Sequence, residues 1–455
     1  MDSHPVSSLP DSNSPTLHLT HPTAAERRKI WITTASTWDN TPDELLPLCL
    51  QRFEYLTTIP LAKNGGMTMW ILTDSQYPPE HRPLLASCDT FRKRALFTRS
   101  GDGQLGGQGE AEGEGDAVAN GIVHGIASVF TPFLYRRHGF AARLVRELAG
   151  LLPSWQTTTT LSSSSSSASF VPCIGSILYS DIGRTYYARL GWEVSGTNTE
   201  YIFKTALAPA QPHNVKPIAK SQLAELCSTD ESMIRKAMSA FAHASASTAA
   251  PGVAAASEAD RNRNRHRQRQ VVAIIPDLDH MLWHMAKDEF TAELYLGGIP
   301  LVKGAVVGCP GERVWVVWTH TYYSHPLAEG LVGGENGLYI LRLVVEEEEY
   351  TATATTTTTT TPTGAAAAER SDRLVQSVRA VLQAAQCEAR EWRLDYVNLW
   401  EPSEFVRGLV ERCGIEYEVS QRAEARIACG MWYGEDGGVL SETPIWIYNE
   451  RYAYC

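Results

Sequence analysis

Residues 135–148 read YRRHGFAARLVREL, and this stretch restricts the fold more than any other in the chain. Ahead of it lies a run rich in β-branched residues, Gly121 to Phe130 (GIVHGIASVF). Behind it, Ala141, Leu144, Val145, Leu148 and Leu152 fall at i, i+3, i+4, i+7 and i+11, the stripe of an amphipathic helix that Pro153 then stops. A strand must therefore become a helix through Arg136-Arg137-His138-Gly139. Such a turn presents the unpaired N–H groups and partial positive charge of a helix start. Glycine lets an anion approach the backbone, and the arginines add charge. The pattern R-x-x-G-x-A suits a diphosphate, with an ordinary helix start bearing surface arginines as the alternative. Neither G-x-G-x-x-G nor GK[ST] occurs, which sets aside a Rossmann turn and a P-loop.

The surrounding pattern is α/β. Met67–Thr73 (MTMWILT), the stretch from Ser87 to Leu96 and Val171–Leu178 (VPCIGSIL) read as strands. Arg184–Leu190 fits a short helix with Gly191 as its cap, and Trp192 opens a further strand. A weaker echo follows from about Val271. Glu312–Tyr323 and Gly337–Val345 read as strands, and Leu374, Val378, Val381, Leu382 and Ala385 form a helical stripe. Tyr396–Trp400 is a strand, and Phe405–Cys413 is a helix ending at Gly414. At the echoed position the turn reads PTGAAAAERSD, with no basic glycine turn, as in a second copy that has lost its phosphate site. Four low-complexity tracts interrupt these blocks, near 100–116, 157–167, 243–270 and 351–368. None holds enough apolar area to order itself, so each is expected as a mobile loop. The expected division is a domain over 1–210 and a second over 211–455.

A chain of 455 residues, 43% hydrophobic, builds sizeable cores. Its net charge of -11 opposes a general nucleic-acid or acidic-membrane binder. The nine cysteines form no C-x-x-C pair, so reduced thiols and no zinc ribbon are expected. No targeting signal and no membrane span is read, and a cytoplasmic location is expected. His280 and His284 are spaced i, i+4, but without H-E-x-x-H an amphipathic helix at a junction outweighs a metal site, and no metal is expected. Arg261–Arg269 reads as a solvated insert, and Cys88 as a small buried hydrophobe.

The turn at 136–141 and the segment SILYSDIGRTYYARLGW (176–192) together resemble motifs A and B of the GCN5-related N-acetyltransferase (GNAT) superfamily. The resemblance extends to SCDTFRKRAL, IPDLDHMLWHMAKDEF, GLYILRL and IWIYNERYAYC, which are similar to segments of the fungal lysine N6-acetyltransferase family. It implies a mixed sheet with splayed central strands flanked by helices, and a C-terminal GNAT-like second domain. It also implies acetyl-CoA as cosubstrate and the ε-amine of free L-lysine as acceptor, with another small amine or a protein lysine, or a non-catalytic acyl-CoA-binding or scaffold protein, as alternatives. On this reading Val129 and Phe130 offer main-chain groups to pantetheine. Arg136, Arg137, His138, Gly139, Phe140, Ala141 and Ala142 hold the diphosphate, and Tyr187 protonates the departing thiolate. Two departures are a turn from Pro132 to Gly139 one residue longer than usual and the Thr/Ser tract after the helix.

An ammonium must lose a proton before it attacks. Asp89 is a candidate base, with a helix cap or solvated turn as the alternative. The second candidate is the Cys455 carboxylate, because Pro444–Cys455 is apolar to its last residue and should be docked. Arg92, Arg94, Glu289 and Glu401 are candidates for recognising the acceptor's carboxylate and amine.

Overall fold

The computed structural model describes residues 9–38, 45–99, 117–159, 169–205, 212, 214–247, 269–323, 336–346, 365–434 and 436–454. Two large mixed sheets carry the fold. The first runs in the order β1 (Leu17–Thr20), β2 (Met67–Asp74), β3 (Ala86–Thr98), β4 (Val118–Phe130), β7 (Cys173–Ser180), β17 (Ile427–Trp432), β8 (Glu193–Val194). The second runs β10 (Lys216–Ala219), β12 (Val302–Val307), β13 (Val314–Thr321), β14 (Gly337–Val345), β15 (Tyr396–Trp400), β9 (Thr199–Lys204), β16 (Glu418–Gln421). A two-stranded ribbon, β5 (Thr158–Thr159) with β6 (Ser169–Phe170), stands apart. Off the main path, β11 (Val271–Ile274) pairs with both β3 and β18 (Ile445–Ile447).

The two orders match position for position. In each, the fourth and fifth strands are parallel: β4 with β7, and β14 with β15. In each, the sixth lies antiparallel to the fifth and the seventh antiparallel to the sixth. The sixth strand is exchanged between the halves. β17, from near the end of the chain, completes the first sheet, and β9, from before residue 210, completes the second. The expected boundary at 210/211 thus has strands crossing it both ways.

The sequence explains the layers. α3 (Phe140–Leu151) buries Phe140, Leu144, Val145 and Leu148, the expected stripe, against the first sheet. β13 and β14 are buried on both faces, and their apolar runs give way only to Thr319-His320-Thr321 and to Arg342. α7 (Ala365–Glu391) covers the second sheet through Leu374, Val378, Val381, Leu382 and Ala385. A further core lies between the sheets, where Phe97, Val123 and Ile177 of the first meet Trp315, Val317 and Leu341 of the second. α1 (Ala24–Trp38) and α2 (Leu46–Leu56) separate β1 from β2. α5 (Leu223–Ser247) and α6 (Leu278–Leu296), with β11 between them, separate β10 from β12.

Of the four tracts expected as loops, 100–116 lies outside the described residues, as do most of the other three. All three contribute ordered residues at their edges; within 243–270, residues 243–247 close α5 and Arg269 donates to the Thr443 carbonyl. Thr158–Thr159 pairs in the β5–β6 ribbon, and Ala365 to Ala368 form the start of α7, where alanine's helix propensity carries the tract into the helix. The turn PTGAAAAERSD begins outside the description and ends inside that helix.

Candidate active site

β4 is built to leave its neighbour. Its parallel ladder with β7 ends at Ile126 opposite Leu178. On its other side Asp89 pairs with Ala127 and Ser87 with Phe130, so Ser128 and Val129 both face Cys88. Two residues against one is a β-bulge, and Ser128 adopts φ 54° to form it. The bulge twists the end of β4 away from β7 and re-aims the backbone of Ser128, Val129 and Phe130.

That bulge leads directly into the basic turn. Arg137 sits at φ 66° and Gly139 at φ 84°, both left-handed. Gly139 is the residue before α3, and no side chain caps the helix there, so its first N–H groups remain open to a ligand. A Cβ on Gly139 would stand 2.9 Å from the Ser12 hydroxyl, and Arg143 donates to the Ser12 carbonyl at 3.2 Å. The N-terminal segment therefore lies against the turn, and only glycine fits both the backbone angle and the space. Arg136, Arg137 and His138 are exposed, Ala141 and Ala142 half-buried and Phe140 buried, so a bound anion would meet charge outside and backbone within. Arg136 Nε donates to the Thr131 carbonyl at 3.1 Å, which holds its guanidinium beside the turn.

Tyr187 lies on α4 (Thr185–Ala188), under Trp192 and close to Cys88 of β3 and Cys429 of β17. Burial, reinforced by Tyr186, Cys88, Asp181 and Cys429, holds its hydroxyl far above the ordinary tyrosine range. It is a proton donor at any working pH, and it makes no hydrogen bond among the described residues. The Cys88 thiol is likewise pushed well up by burial and the neighbouring Asp89, which leaves it protonated and inert.

Asp89 lies within β3, opposite the residue before the bulge, and not in a cap or turn. Burial pushes its carboxyl up to about 7, against a smaller downward pull from the Ser128 side chain. Its Oδ1 is buried without a partner. The structure thus gathers Asp89, the bulge of β4, the Gly139 turn and Tyr187 around one end of the first sheet.

The matching place in the second sheet is occupied. β14 also bulges, at Leu341, just past the end of its ladder with β15 at Ile340 opposite Leu399. Two residues on, Leu343 N donates to Glu450 Oε2 at 3.1 Å. Glu450 also pairs with Arg342, which holds Asp230 through two bonds of 2.8 Å. Burial outweighs these partners and raises the Glu450 carboxyl to about 7.

Glu450 belongs to a terminal segment docked along its length. Tyr179 Oη donates to Asn449 Oδ1 at 2.7 Å, and Lys93 Nζ to the Ala453 carbonyl at 2.7 Å. Tyr452 Oη donates to the Ile274 and Tyr448 carbonyls. Cys455, whose carboxylate was the second candidate base, lies outside the described residues.

The four candidates for acceptor recognition are engaged elsewhere. Arg92 Nε donates to the Gln156 carbonyl, and Arg94 pairs with Glu231 and Asp277. Glu289 takes Lys303 and Lys220, and Glu401 takes the backbone of Thr197 and Thr199 together with Arg422. The residue that sequence reasoning missed is Arg451, 3% exposed, in the same segment as Glu450. Its one signal was an arginine inside an otherwise aromatic terminus. His280 and His284 do not converge on a common point: His280 Nδ1 bonds Asp277, and His284 Nε2 faces the Tyr452 carbonyl. Among the described residues no three potential ligands form a metal group, and no helix is long and apolar enough to cross a membrane.

A family model described as the LYC1 GNAT-like C-terminal domain matches residues 202–455, more than half of the chain. No curated protein matches it. Among solved structures it is similar to a GCN5-related N-acetyltransferase from Kribbella flavida, at 11% identity over 91% of this chain and 71% of that one, TM-score 0.42. It is also similar to Saccharomyces cerevisiae N-myristoyltransferase with bound myristoyl-CoA and inhibitors, at 7% over 96% and 86%, TM-score 0.44. Over 42% of its length it is similar to Arabidopsis thaliana NAA60 in complex with acetyl-CoA, at 11% over 90% of that chain, TM-score 0.23.

Proposed function

The chain belongs to the family of the LYC1 GNAT-like C-terminal domain, and we propose that its first sheet moves the acetyl group of acetyl-CoA onto the ε-amine of free L-lysine. The general class, an acetyl-CoA-dependent N-acetyltransferase of GNAT fold, comes with that membership. The acceptor and the residue roles are the reading advanced here. One observation carries it: a bulged, splayed β4 runs straight into an uncapped helix start at a left-handed glycine. The backbone past Ser128 suits an extended amide-bearing arm, and the Gly139 turn suits the diphosphate at its end.

When bound, acetyl-CoA supplies the activated acyl carbon. This chain's residues do the rest. Asp89 takes a proton from the acceptor's ammonium and leaves a lone pair on nitrogen. Its raised carboxyl is matched to that task near neutral pH. Tyr187 gives its hydroxyl proton to sulfur as the C–N bond forms and the C–S bond breaks, and the extra proton left on the new amide nitrogen returns to the phenolate. Burial around Cys88, Tyr187 and Trp192 keeps water from that proton.

The test is a thiol-release assay with acetyl-CoA against a panel of L-lysine, other amino acids, polyamines and a lysine-containing peptide. The expected result is release with L-lysine and a product acetylated at Nε. Release with the peptide or polyamines alone would overturn the acceptor, and no release with any amine would overturn the transfer.

A further inference from the structure

We infer that Arg451 receives the α-carboxylate of an amino-acid acceptor, in an aromatic cage at the junction of the two sheets. The inference rests on the acceptor reading above and names the group that would recognise it. Arg451 Nε and Nη1 are buried with no hydrogen-bond partner. Its guanidinium carbon stands 4.0 Å from the Tyr454 ring, 4.4 Å from Trp400 and 4.5 Å from Tyr339. Stacking on aromatic faces offsets part of the cost of burying a cation, but it leaves the in-plane N–H groups unanswered. A buried guanidinium without an anion is costly enough that such groups are nearly always paired.

No carboxylate of the described chain answers it. Glu450, its neighbour, is held by Arg342 and Leu343 N. Asp288, whose charge Arg451 feels, accepts from Thr319 and Thr321 at 2.8 Å each. A second cation lies beside it: Arg426 Nη1 donates to Tyr339 Oη at 3.0 Å, and the carboxylate paired with its guanidinium, Glu200, stands 4.0 Å away. Two arginines with tyrosine hydroxyls and no bonded carboxylate form a socket for one carboxylate, which a guanidinium fork grips by two parallel bonds.

The socket also points the right way. The Tyr454 ring packs at 5.2 Å on Tyr179 of β7, and Tyr179 follows Leu178, the last residue of β7 paired with β4. Arg451 is thus joined to the splay of the first sheet by aromatic rings, a wall suited to the methylenes of a long side chain. A carboxylate held at Arg451 leaves an amine at the far end of such a stem free to enter the splay.

The test uses the full chain and separates binding from turnover. L-norleucine keeps the carboxylate and the stem but lacks the ε-amine, whereas n-pentylamine lacks the carboxylate. Calorimetric titration should show L-norleucine binding and n-pentylamine not. Arg451→Gln should weaken L-norleucine by about tenfold to a hundredfold, the worth of a charge-assisted pair. Arg451→Lys should weaken it less, and it keeps the test open if the glutamine chain fails to fold. In turnover, Arg451→Lys should raise KM for L-lysine with KM for acetyl-CoA unchanged, and should narrow the preference for L-lysine over cadaverine. Equal binding of L-norleucine by wild-type and folded variant protein overturns the Arg451 assignment and leaves acetyl transfer standing. Arg451-dependent binding of L-norleucine without acetylation of L-lysine overturns the acceptor reading and leaves the socket standing.

Discussion

In the second sheet the backbone just past the bulge of β14 donates to Glu450, whereas in the first the same stretch of β4 leads to an exposed basic turn and an uncapped helix. The bulge, the parallel ladder and the strand order are common to both sheets. What differs is the exit from the fourth strand. β4 reaches α3 through a short turn ending in a left-handed glycine, while the path from β14 to α7 crosses residues 347–364. The comparison teaches that a splay between parallel strands is a socket of general use. The second copy fills it with a side chain of the same polypeptide, and on the proposed reading the first keeps it for a ligand. The filler brings Arg451 and Tyr454 with it, so the filled copy sets these groups beside the open one.

The sharpest break in that comparison is Gly139→Val. Valine at φ 84° is strained whatever the space, and its Cβ meets Ser12. Affinity for coenzyme A should fall about a thousandfold, roughly 4 kcal/mol, with circular dichroism unchanged. Alanine-tract changes at 365–368, the counterpart helix start, should leave it intact. If titration shows the valine variant binding normally, the phosphate cradle is misplaced. Next in size, Tyr187→Phe should lower turnover about a hundredfold, the lower end for a positioned proton donor. KM for acetyl-CoA should hold. Full turnover would remove the role given to the phenol.

Glu450→Gln acts on the other copy. It removes the charge that faces Arg342 but keeps an acceptor for Leu343 N, and Asp230 still holds Arg342. Denaturant unfolding should register a loss of about 2 kcal/mol, below the usual cost of breaking a buried pair because one carboxylate remains. Affinity for coenzyme A should not move. A fall in affinity matching that of Gly139→Val would mean that the second splay also shapes the ligand site.

Much of both sheets was legible because their signals are local. β14 and β15 fall at Gly337–Val345 and Tyr396–Trp400, the stretches their β-branched and apolar residues mark, and α3 follows its i, i+3, i+4 stripe. The exchange of β9 and β17 was not legible, since pairing partners 192 or more residues apart leave no periodicity. IACGMW at 427–432 does carry the signal of a fully buried strand, an unbroken apolar run, without saying which sheet it joins. At the site, Gly139 and Tyr187 stand at motif spacing, but Asp89 reads equally well as a turn residue. Its place beside the bulge depends on a register that no sequence spacing encodes. Arg451 was hidden for the same reason, because its lack of a partner is a property of the whole junction.

Asp89→Asn has the smallest expected effect and tests whether that register matters. The wild-type carboxyl, raised to about 7 by burial, is protonated and idle as a base below that pH. Turnover with L-lysine should therefore climb as pH rises through about 7 and level off above it. Asparagine cannot take the proton, so that limb should vanish. Turnover should then rise with the free-amine fraction of lysine itself, whose ordinary pKa is about 10.4. Near pH 9 the loss should be about tenfold, because a small neutral fraction of the amine still reaches the splay without a base. By pH 10 wild type and variant should converge. A variant profile that keeps the inflection near 7 would move the base to another group, whereas a uniform drop at every pH would make Asp89 a structural support for the Ser128 bulge.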